Sequence, residues 1–424
     1  MTSESFSAGD PVVSSEVAGP PPVGPAFIGL YAFAYLGTNL VFLAPVLVTL
    51  ALKVNALVGI ERAPAALGMV TGIGSLLALV ANPFFGRMSD RTTSRLGMRR
   101  PWMVAGLLGG SVGILTVALA SSIPVVLLGW CLTQLMFNAL LAAVVAVLPD
   151  RVPTVQRGMV SGILGICLPV ASVCATFLVQ LFAGHLLVMF LAPCAIGGLC
   201  ILVFAFLFDD RRLDPSAKPR WSAREFATTF YVNPRRSPDF SWAFLSRFLL
   251  LMGYAFLTTY QTYYLLQRLG SSEVEVPRQI YLGTLLQAVG IIVASLVGGR
   301  LSDRTGRRKA FVVAAAIIYA AAMFVIAAAH TFDGYLVGMA VGGLGFGLYL
   351  AVDLALVADV VSPRDHGKDL GVFNIANALP FSIAPAVAPL ILAVTDGNYG
   401  VLYAVAGGCA LLGAAAIMPV RRVR

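Results

Sequence analysis

The chain has 424 residues, of which 58% are hydrophobic and 12% charged, against roughly 25% charged in ordinary soluble domains. With a mean hydropathy of +0.87, too few charges are left to build a water-facing surface, which excludes a soluble globular protein; the same hydrophobicity excludes a disordered chain. The net charge of +9 fits the surplus of Lys and Arg in the cytoplasmic loops of membrane proteins, so no nucleic-acid partner is expected.

Residues 1–25 contain no Lys or Arg and are rich in Ser, Gly, Pro and Val. They lack the positive start of a cleavable signal peptide and are expected to form a disordered cytoplasmic N-terminus. Twelve apolar runs follow, each near the length of about 20 residues that crosses a bilayer: 26–52, 64–85, 102–121, 124–148, 158–183, 186–208, 241–267, 279–298, 309–329, 333–361, 369–394 and 398–419. Sustained runs of this length are not the alternating ten-residue segments of a β-barrel. The expectation is an all-α membrane protein of twelve transmembrane helices. It divides into a six-helix bundle over 26–208, a cytoplasmic linker over 209–240, a second six-helix bundle over 241–419 and a cytoplasmic tail over 420–424. Loops on the side of the termini hold 24 Lys and Arg against 4 on the other side, which places both termini in the cytoplasm. The compact loops suit a bacterial cytoplasmic membrane. Cys131, Cys167, Cys174, Cys194, Cys200 and Cys409 all lie in apolar runs, with no C-x-x-C pair; they read as small buried hydrophobes, not as disulfides or metal ligands. No metal and no cofactor are expected.

The two halves repeat each other. Gly86-Arg87-Met88-Ser89-Asp90-Arg91 follows span 2, and Gly299-Arg300-Leu301-Ser302-Asp303-Arg304 follows span 8, 213 positions later. Gly97-Met98-Arg99-Arg100 matches Gly306-Arg307-Arg308-Lys309 at an offset of 209, which Asp150 and Asp359 keep. One four-residue insertion therefore accounts for three matched points, and the halves read as a duplicated six-helix unit, pseudo-symmetric in space. The G-R-x-S-D-R-x-G-R-R pattern resembles the signature loop of the major facilitator superfamily in both halves. The longer first loop, from Ser89 to Pro101, is similar to that of sucrose transporters and glycoside–cation symporters. The resemblance implies alternating access by two bundles, with a small-molecule substrate at the midplane and coupling to protons or another cation. It also implies that Asp90 and Asp303, with nearby arginines and helix N-termini, lock the cytoplasmic side. Gly86, Asp90, Arg91, Arg95, Arg100, Gly299, Asp303, Arg304 and Arg308 are accordingly the candidate gate, the glycines allowing close helix approach. Positive-inside anchoring accounts for Arg95, Arg99 and Arg100 as well. Asp150 and Asp359 read as interfacial caps or as partners of Arg151 and Arg364.

Charge inside a span is costly and marks function by default. Two residues stand out, Asp353 in span 10 and Arg247 in span 7. Arg247 is near enough to the cytoplasmic end to snorkel to the interface or to face the cavity. Low dielectric disfavours the charged form of Asp353, which fits it to take up a proton on one side of the membrane and release it on the other; a structural salt bridge to Arg247 is the alternative. Sucrose transporters carry an Asp in span 4, where this chain has the neutral Thr133, Gln134 and Asn138, so any coupling has moved to the second half. Candidate cavity residues are Tyr35, Asn39, Gln134, Asn138, Tyr254, Thr258, Gln261, Gln287, Asn374 and Asn377. Several pairs among them are four apart and so share a helix face. Amides and aromatic faces suit a sugar, and the same groups serve for helix–helix hydrogen bonds. Pro169, Pro380, Pro385 and Pro389 mark kinks.

The expected function is a secondary active transporter, a proton-coupled symporter of a sugar or other neutral small solute, acting as a monomer in the lipid bilayer. The alternative is a proton-coupled exporter of drugs or amphipathic metabolites. No H-E-x-x-H pair and no G-x-x-x-x-G-K-[ST] loop occur, so neither an embedded metalloenzyme nor an ATP-driven pump is expected.

Overall fold

The computed structural model describes residues 21–214, 216, 238–360 and 375–420. Residues 1–20, most of the linker, 361–374 with Asn374, the C-terminal four residues and the side chains of Asp303 and of 354–360 lie outside the described residues. Among the described residues there are no strands. Among the same residues, twelve helices are long and apolar enough to cross a membrane. In the first half they are α1 (Pro25–Val58), α2 (Ala63–Asp90), α3 (Arg100–Leu119), α4 (Ile123–Arg151), α5 (Thr154–Leu181) and α6 (Leu186–Leu207). In the second they are α7 (Pro238–Arg268), α8 (Val276–Thr305), α9 (Arg308–Ala328), α10 (Phe332–Val360), α11 (Ile375–Val394) and α12 (Tyr399–Ala416).

Their termini explain themselves locally. Proline stands in the first turn of α1, α2, α3, α4 and α8, where its missing N–H costs nothing. Gly306, at φ +62°, ends α8 in the left-handed conformation, which glycine adopts without a Cβ clash. Prolines also lie within the helices. Pro380 restarts α11 after a turn at Leu379, and Pro169 sits within α5. A π-helical turn begins at Pro45 and runs to Thr49 inside α1; a second, Tyr264–Arg268, ends α7, the corresponding first helix of the other half.

The same pairings build both halves. α1 packs on α5 and α6, α2 on α4, and α3 on α4 and α6; α7 packs on α11 and α12, α8 on α10, and α9 on α10 and α12. Across the halves α2 meets α11 and α5 meets α8, contacts that exchange when the halves are exchanged. The repeat read from the sequence is therefore a spatial two-fold. Gly86 lies 4.0 Å from Ala142, and Gly299 the same distance from Ala351, measured from an ideal Cβ; these two contacts keep the offsets of 213 and 209. Large apolar side chains such as Leu128, Phe206 and Leu412 face outward, as lipid contact requires. All six cysteines are free, three of them buried and three half-buried.

Close packing rests on small residues. A Cβ at Gly345 would stand 2.6 Å from the Tyr319 nitrogen and 3.0 Å from the Ala315 carbonyl, both main-chain atoms that cannot swing aside. At Gly408 nothing lies within 4 Å. Gly345→Ala should therefore lower stability by about 1–3 kcal/mol. Gly408→Ala should be neutral or stabilising, since alanine is the better helix former by roughly 1 kcal/mol. Thermal unfolding of the two variants in detergent checks both.

Candidate functional site

Polar groups concentrate in four places: the loop between α2 and α3, the interior of the second half, a cavity between the halves, and the face opposite the termini.

On the terminus side, Arg99 is the hub of the first-half loop. It sits just before α3, is 4% exposed, and pairs through Nη2 with Asp90 Oδ1 at 2.6 Å and through Nε with Asp150 Oδ2 at 2.7 Å. Its Nη1 also donates to Ser89 Oγ. Burial works against its charge, but Asp150 and Asp90 more than offset that and hold the guanidinium above its usual range. Asp210, just after α6, accepts from the Arg99 and Arg100 main-chain N–H groups at 2.8 and 2.7 Å. It thereby satisfies donors at the start of α3 that lack intrahelical partners. Gly97 must be glycine here: its φ is +107°, and a Cβ would fall 2.2 Å from the Asp210 carboxylate. Burial pushes the Asp210 carboxyl upward from the ordinary aspartate range, against the hydrogen bonds that lower it. Arg100 donates to the Ala205 and Phe208 carbonyls at 2.5 and 2.7 Å.

Of the candidate gate residues, Asp90 and Arg100 thus join this network, while Arg95 and Arg304 are exposed. Arg91 and Arg308 each have a partner. Asp150 pairs with Arg99 rather than with Arg151, whose guanidinium reaches Asp209 at 3.1 Å. Sequence reading passed over Arg99 and Asp210. Arg99 lies in a basic cluster that positive-inside anchoring already accounts for, and Asp210 finds its partners more than a hundred residues away.

In the second half Arg247 Nη1 and Asp353 Oδ2 are 2.6 Å apart, with side chains 11% and 6% exposed. Arg247 turns inward and does not snorkel. Tyr349 Oη donates to the second carboxylate oxygen at 2.7 Å. Arg247 also donates through Nε and Nη2 to Asn377 Oδ1, at 2.8 and 2.6 Å. One network therefore ties α7, α10 and α11 together, with Asn377 bracing the arginine.

Beside it, between the halves, is a cavity of about 170 Å³. Tyr254, Thr258, Gln261 and Gln287 line it, as do Thr284, Ser172, Phe346 and Phe381. Tyr254 stacks on Phe346 at 4.2 Å and meets Phe381 edge-on at 6.3 Å. Leu350, also in the wall, lies one helical turn before Asp353. The described lining is aliphatic and aromatic with a few neutral hydrogen-bonding groups, and none of it is charged.

The first-half candidates are placed elsewhere. Asn39 Nδ2 donates to the Tyr35 carbonyl at 2.8 Å, and Asn138 Nδ2 to the Gln134 carbonyl at 2.7 Å. Asn82 on α2 reaches Asn138 on α4 at 3.4 Å. Tyr35, Asn39, Gln134 and Asn138 are not in the cavity wall.

The family model described as Major Facilitator Superfamily matches residues 27–290 and 276–424. Over 126 residues the chain is 31% identical to multidrug resistance protein MdtL of Klebsiella pneumoniae (strain 342), a stretch that covers 30% of this chain and 31% of the relative. It is 37% identical over 113 residues to a probable 4-methylmuconolactone transporter of Cupriavidus pinatubonensis, 26% of each chain. The matched stretches thus span less than a third of these relatives' lengths. Among solved structures, the nucleoside transporter NupG superposes with a TM-score of 0.73 at 13% identity, covering 93% of this chain and 99% of that one; at that identity the likeness is one of fold.

Two stability predictions follow from the charged groups. Removing either Arg247 or Asp353 leaves its partner buried and uncompensated, a loss of about 3–5 kcal/mol. Arg247→Met combined with Asp353→Leu should be much less damaging than the sum, which a double-mutant cycle of unfolding in detergent measures. Asp210→Asn keeps the acceptor for the two N–H groups without burying a charge and should be tolerated. Asp210→Ala should cost about 1–3 kcal/mol, read in the same unfolding assay.

Proposed function

The chain belongs to the Major Facilitator Superfamily and is a transporter, and we propose that it works by proton-coupled alternating access on a compact, neutral, largely apolar solute, which it exports. The observation that carries this reading is the cavity wall: aliphatic side chains, the Tyr254–Phe346–Phe381 cluster, and neutral polar groups with no charge among them. Such a wall recognises a flat apolar body bearing one or two hydrogen-bonding groups. A solute of that kind crosses bilayers unaided, so uphill work on it is effective as removal and wasted as accumulation. The short match to a multidrug resistance protein supports the same direction.

Asp353 is the proposed proton carrier. Its carboxylate is held by Arg247 and Tyr349 one helical turn from Leu350 in the cavity wall. Protonation removes the charge that Arg247 faces, leaving the guanidinium to Asn377. The bond between α7 and α10 then weakens next to the wall that the solute occupies. The basic surplus on the terminus side, 24 Lys and Arg against 4, supports cytoplasmic termini, and the bacterial sources of the relatives support a bacterial cytoplasmic membrane. The two bundles, 26–208 and 241–419, are proposed as the rocking units.

A second reading, proton–sugar symport, is favoured by Thr258, Gln261, Thr284 and Gln287 beside the Tyr254 ring, a set able to serve sugar hydroxyls and a ring face. Proteoliposomes with a trapped pH dye separate the two. The export reading expects coumarin, neutral and flat with one carbonyl, to collapse a gradient with an acidic lumen. Symport instead expects radiolabelled xylose to accumulate when the outside is acidic. Asp353→Asn should abolish solute-driven proton flux while coumarin binding persists; flux retained in a folded Asp353→Asn protein would remove the coupling role.

A further inference from the structure

Hydrogen bonds between the halves cluster on the face opposite the termini, and a run of consecutive residues on α7 makes most of them. Tyr260 Oη donates to the Pro64 carbonyl on α2 at 3.3 Å and to the Pro385 carbonyl on α11 at 3.0 Å. Gln261 Nε2 and Thr262 Oγ1 both donate to the Leu47 carbonyl on α1, at 3.4 and 3.5 Å. Tyr263 Oη donates to the Ala51 carbonyl, also on α1, at 3.0 Å, while Tyr264 Oη stays within the second half, donating to the Ile326 carbonyl on α9 at 2.9 Å. Beyond them Gln267 Nε2 reaches the Ile60 carbonyl at 2.9 Å, and Asn55 Nδ2 reaches Glu273 Oε1 at 2.5 Å. Apart from Asn55 and the Glu273 carboxylate, these contacts are neutral side chains gripping main-chain carbonyls.

Leu47 lies within the π-helical turn of α1, an irregularity that often marks a working position in a helix. A carbonyl has two lone pairs, so it can accept from α7 in addition to any bond within its own helix. The two bonds onto Leu47 are the longest of the set and so the most readily exchanged for another acceptor.

Gln261 and Thr262 hold the same carbonyl, but they differ in one respect. Gln261 lines the cavity and Thr262 does not. The Gln261 carbonyl oxygen is engaged by Tyr335 Oη at 3.2 Å, which fixes the amide so that its NH2 group points to α1. Gln261 is therefore both a residue of the cavity wall and one of those that hold the halves together on the far face.

We propose that Gln261 couples occupancy of the cavity to release of these contacts, the far gate. A solute carrying a neutral acceptor oxygen takes the Nε2–H from Leu47, and α1 loses one of its holds on α7. The inference rests on the transport reading above and adds to it the chemical requirement for an acceptor and the residue that senses it.

Hydrogen exchange of the intact chain in lipid nanodiscs, read by mass spectrometry, tests it. Coumarin is the probe, naphthalene its counterpart of similar size without an acceptor, and binding of each is measured alongside. Gln261→Leu and Thr262→Val should each speed exchange across residues 45–58 about five-fold, the effect of losing one hydrogen bond, with residues 100–119 unchanged as the check on folding. Coumarin should speed exchange at 45–58 in the wild type and in Thr262→Val, and add nothing in Gln261→Leu; naphthalene should have no effect. Coumarin that binds yet leaves the gate unchanged, or that acts equally on Gln261→Leu, overturns the coupling and leaves the solute class standing. Naphthalene acting as coumarin does overturns the need for an acceptor. If neither probe binds, the apolar-solute reading fails and the coupling with it.

Discussion

A guanidinium and a carboxylate buried side by side within a membrane-spanning bundle can each be there only because of the other. Taking either ion out of water costs several kcal/mol even after relaxation, and nothing in an apolar helix bundle offsets that except an opposite charge and well-aligned hydrogen bonds. Arg247 and Asp353 have both, with Tyr349 and Asn377 completing the set. The consequence reaches beyond the pair. α7 carries Tyr254, Thr258 and Gln261 into the cavity wall, α10 carries Phe346 and Leu350, and α11 carries Phe381. The three helices tied by this network supply most of the second-half wall, to which α8 adds Thr284, Gln287 and Ile291.

The two faces of the molecule are held by different chemistry. Near the termini the contacts are ionic: Arg99 with Asp90 and Asp150, and Arg151 with Asp209. Asp90 is about half exposed, so salt screens part of that set. On the opposite face the contacts joining the halves run mostly from neutral side chains to carbonyls, which ionic strength hardly touches. The ionic contacts near the termini tie the first half to itself and to the start of the linker, whereas those on the opposite face join the halves and include the Glu273 carboxylate, which accepts from Asn55.

Much of this was legible in the sequence, for reasons that differ by residue. Asp353 and Arg247 announced themselves because a charge in an apolar run has no cheap explanation. The duplication was readable because the loop glycines and aspartates recur at fixed offsets, and the spatial pairings follow the same offsets. The first-half amides were harder. Asn39 and Asn138 stand four residues after Tyr35 and Gln134, and that spacing puts two side chains on one face. It is also the spacing at which an amide reaches the carbonyl of its own preceding turn, and that is what both do. The far gate was illegible in another way: its acceptors are main-chain carbonyls, which every residue carries, so nothing in α1 marks Leu47 or Ala51 as a partner. Arg99 was hidden by its neighbours, since one buried arginine among several basic residues looks like the rest until burial singles it out.

Duplication also shows where the chemistry has settled. The offset of 209 that relates Asp150 to Asp359 relates Asp353 to Val144. In the first half, the contact between the first and fourth helices at this level is a neutral one: Tyr31 Oη on α1 donates to the Val144 carbonyl on α4 at 2.9 Å. In the second half, the first and fourth helices, α7 and α10, meet through Arg247 and Asp353 instead. The same joint of the same fold is thus made once with a bond that no protonation at neutral pH can alter, and once with a bond that a single proton weakens. Tyr31 is fully buried and stacks on Phe204 at 5.6 Å, so the first-half joint is packed as well as bonded. Of these two joints, the one in the second half alone carries a side-chain carboxylate whose charge a proton can remove.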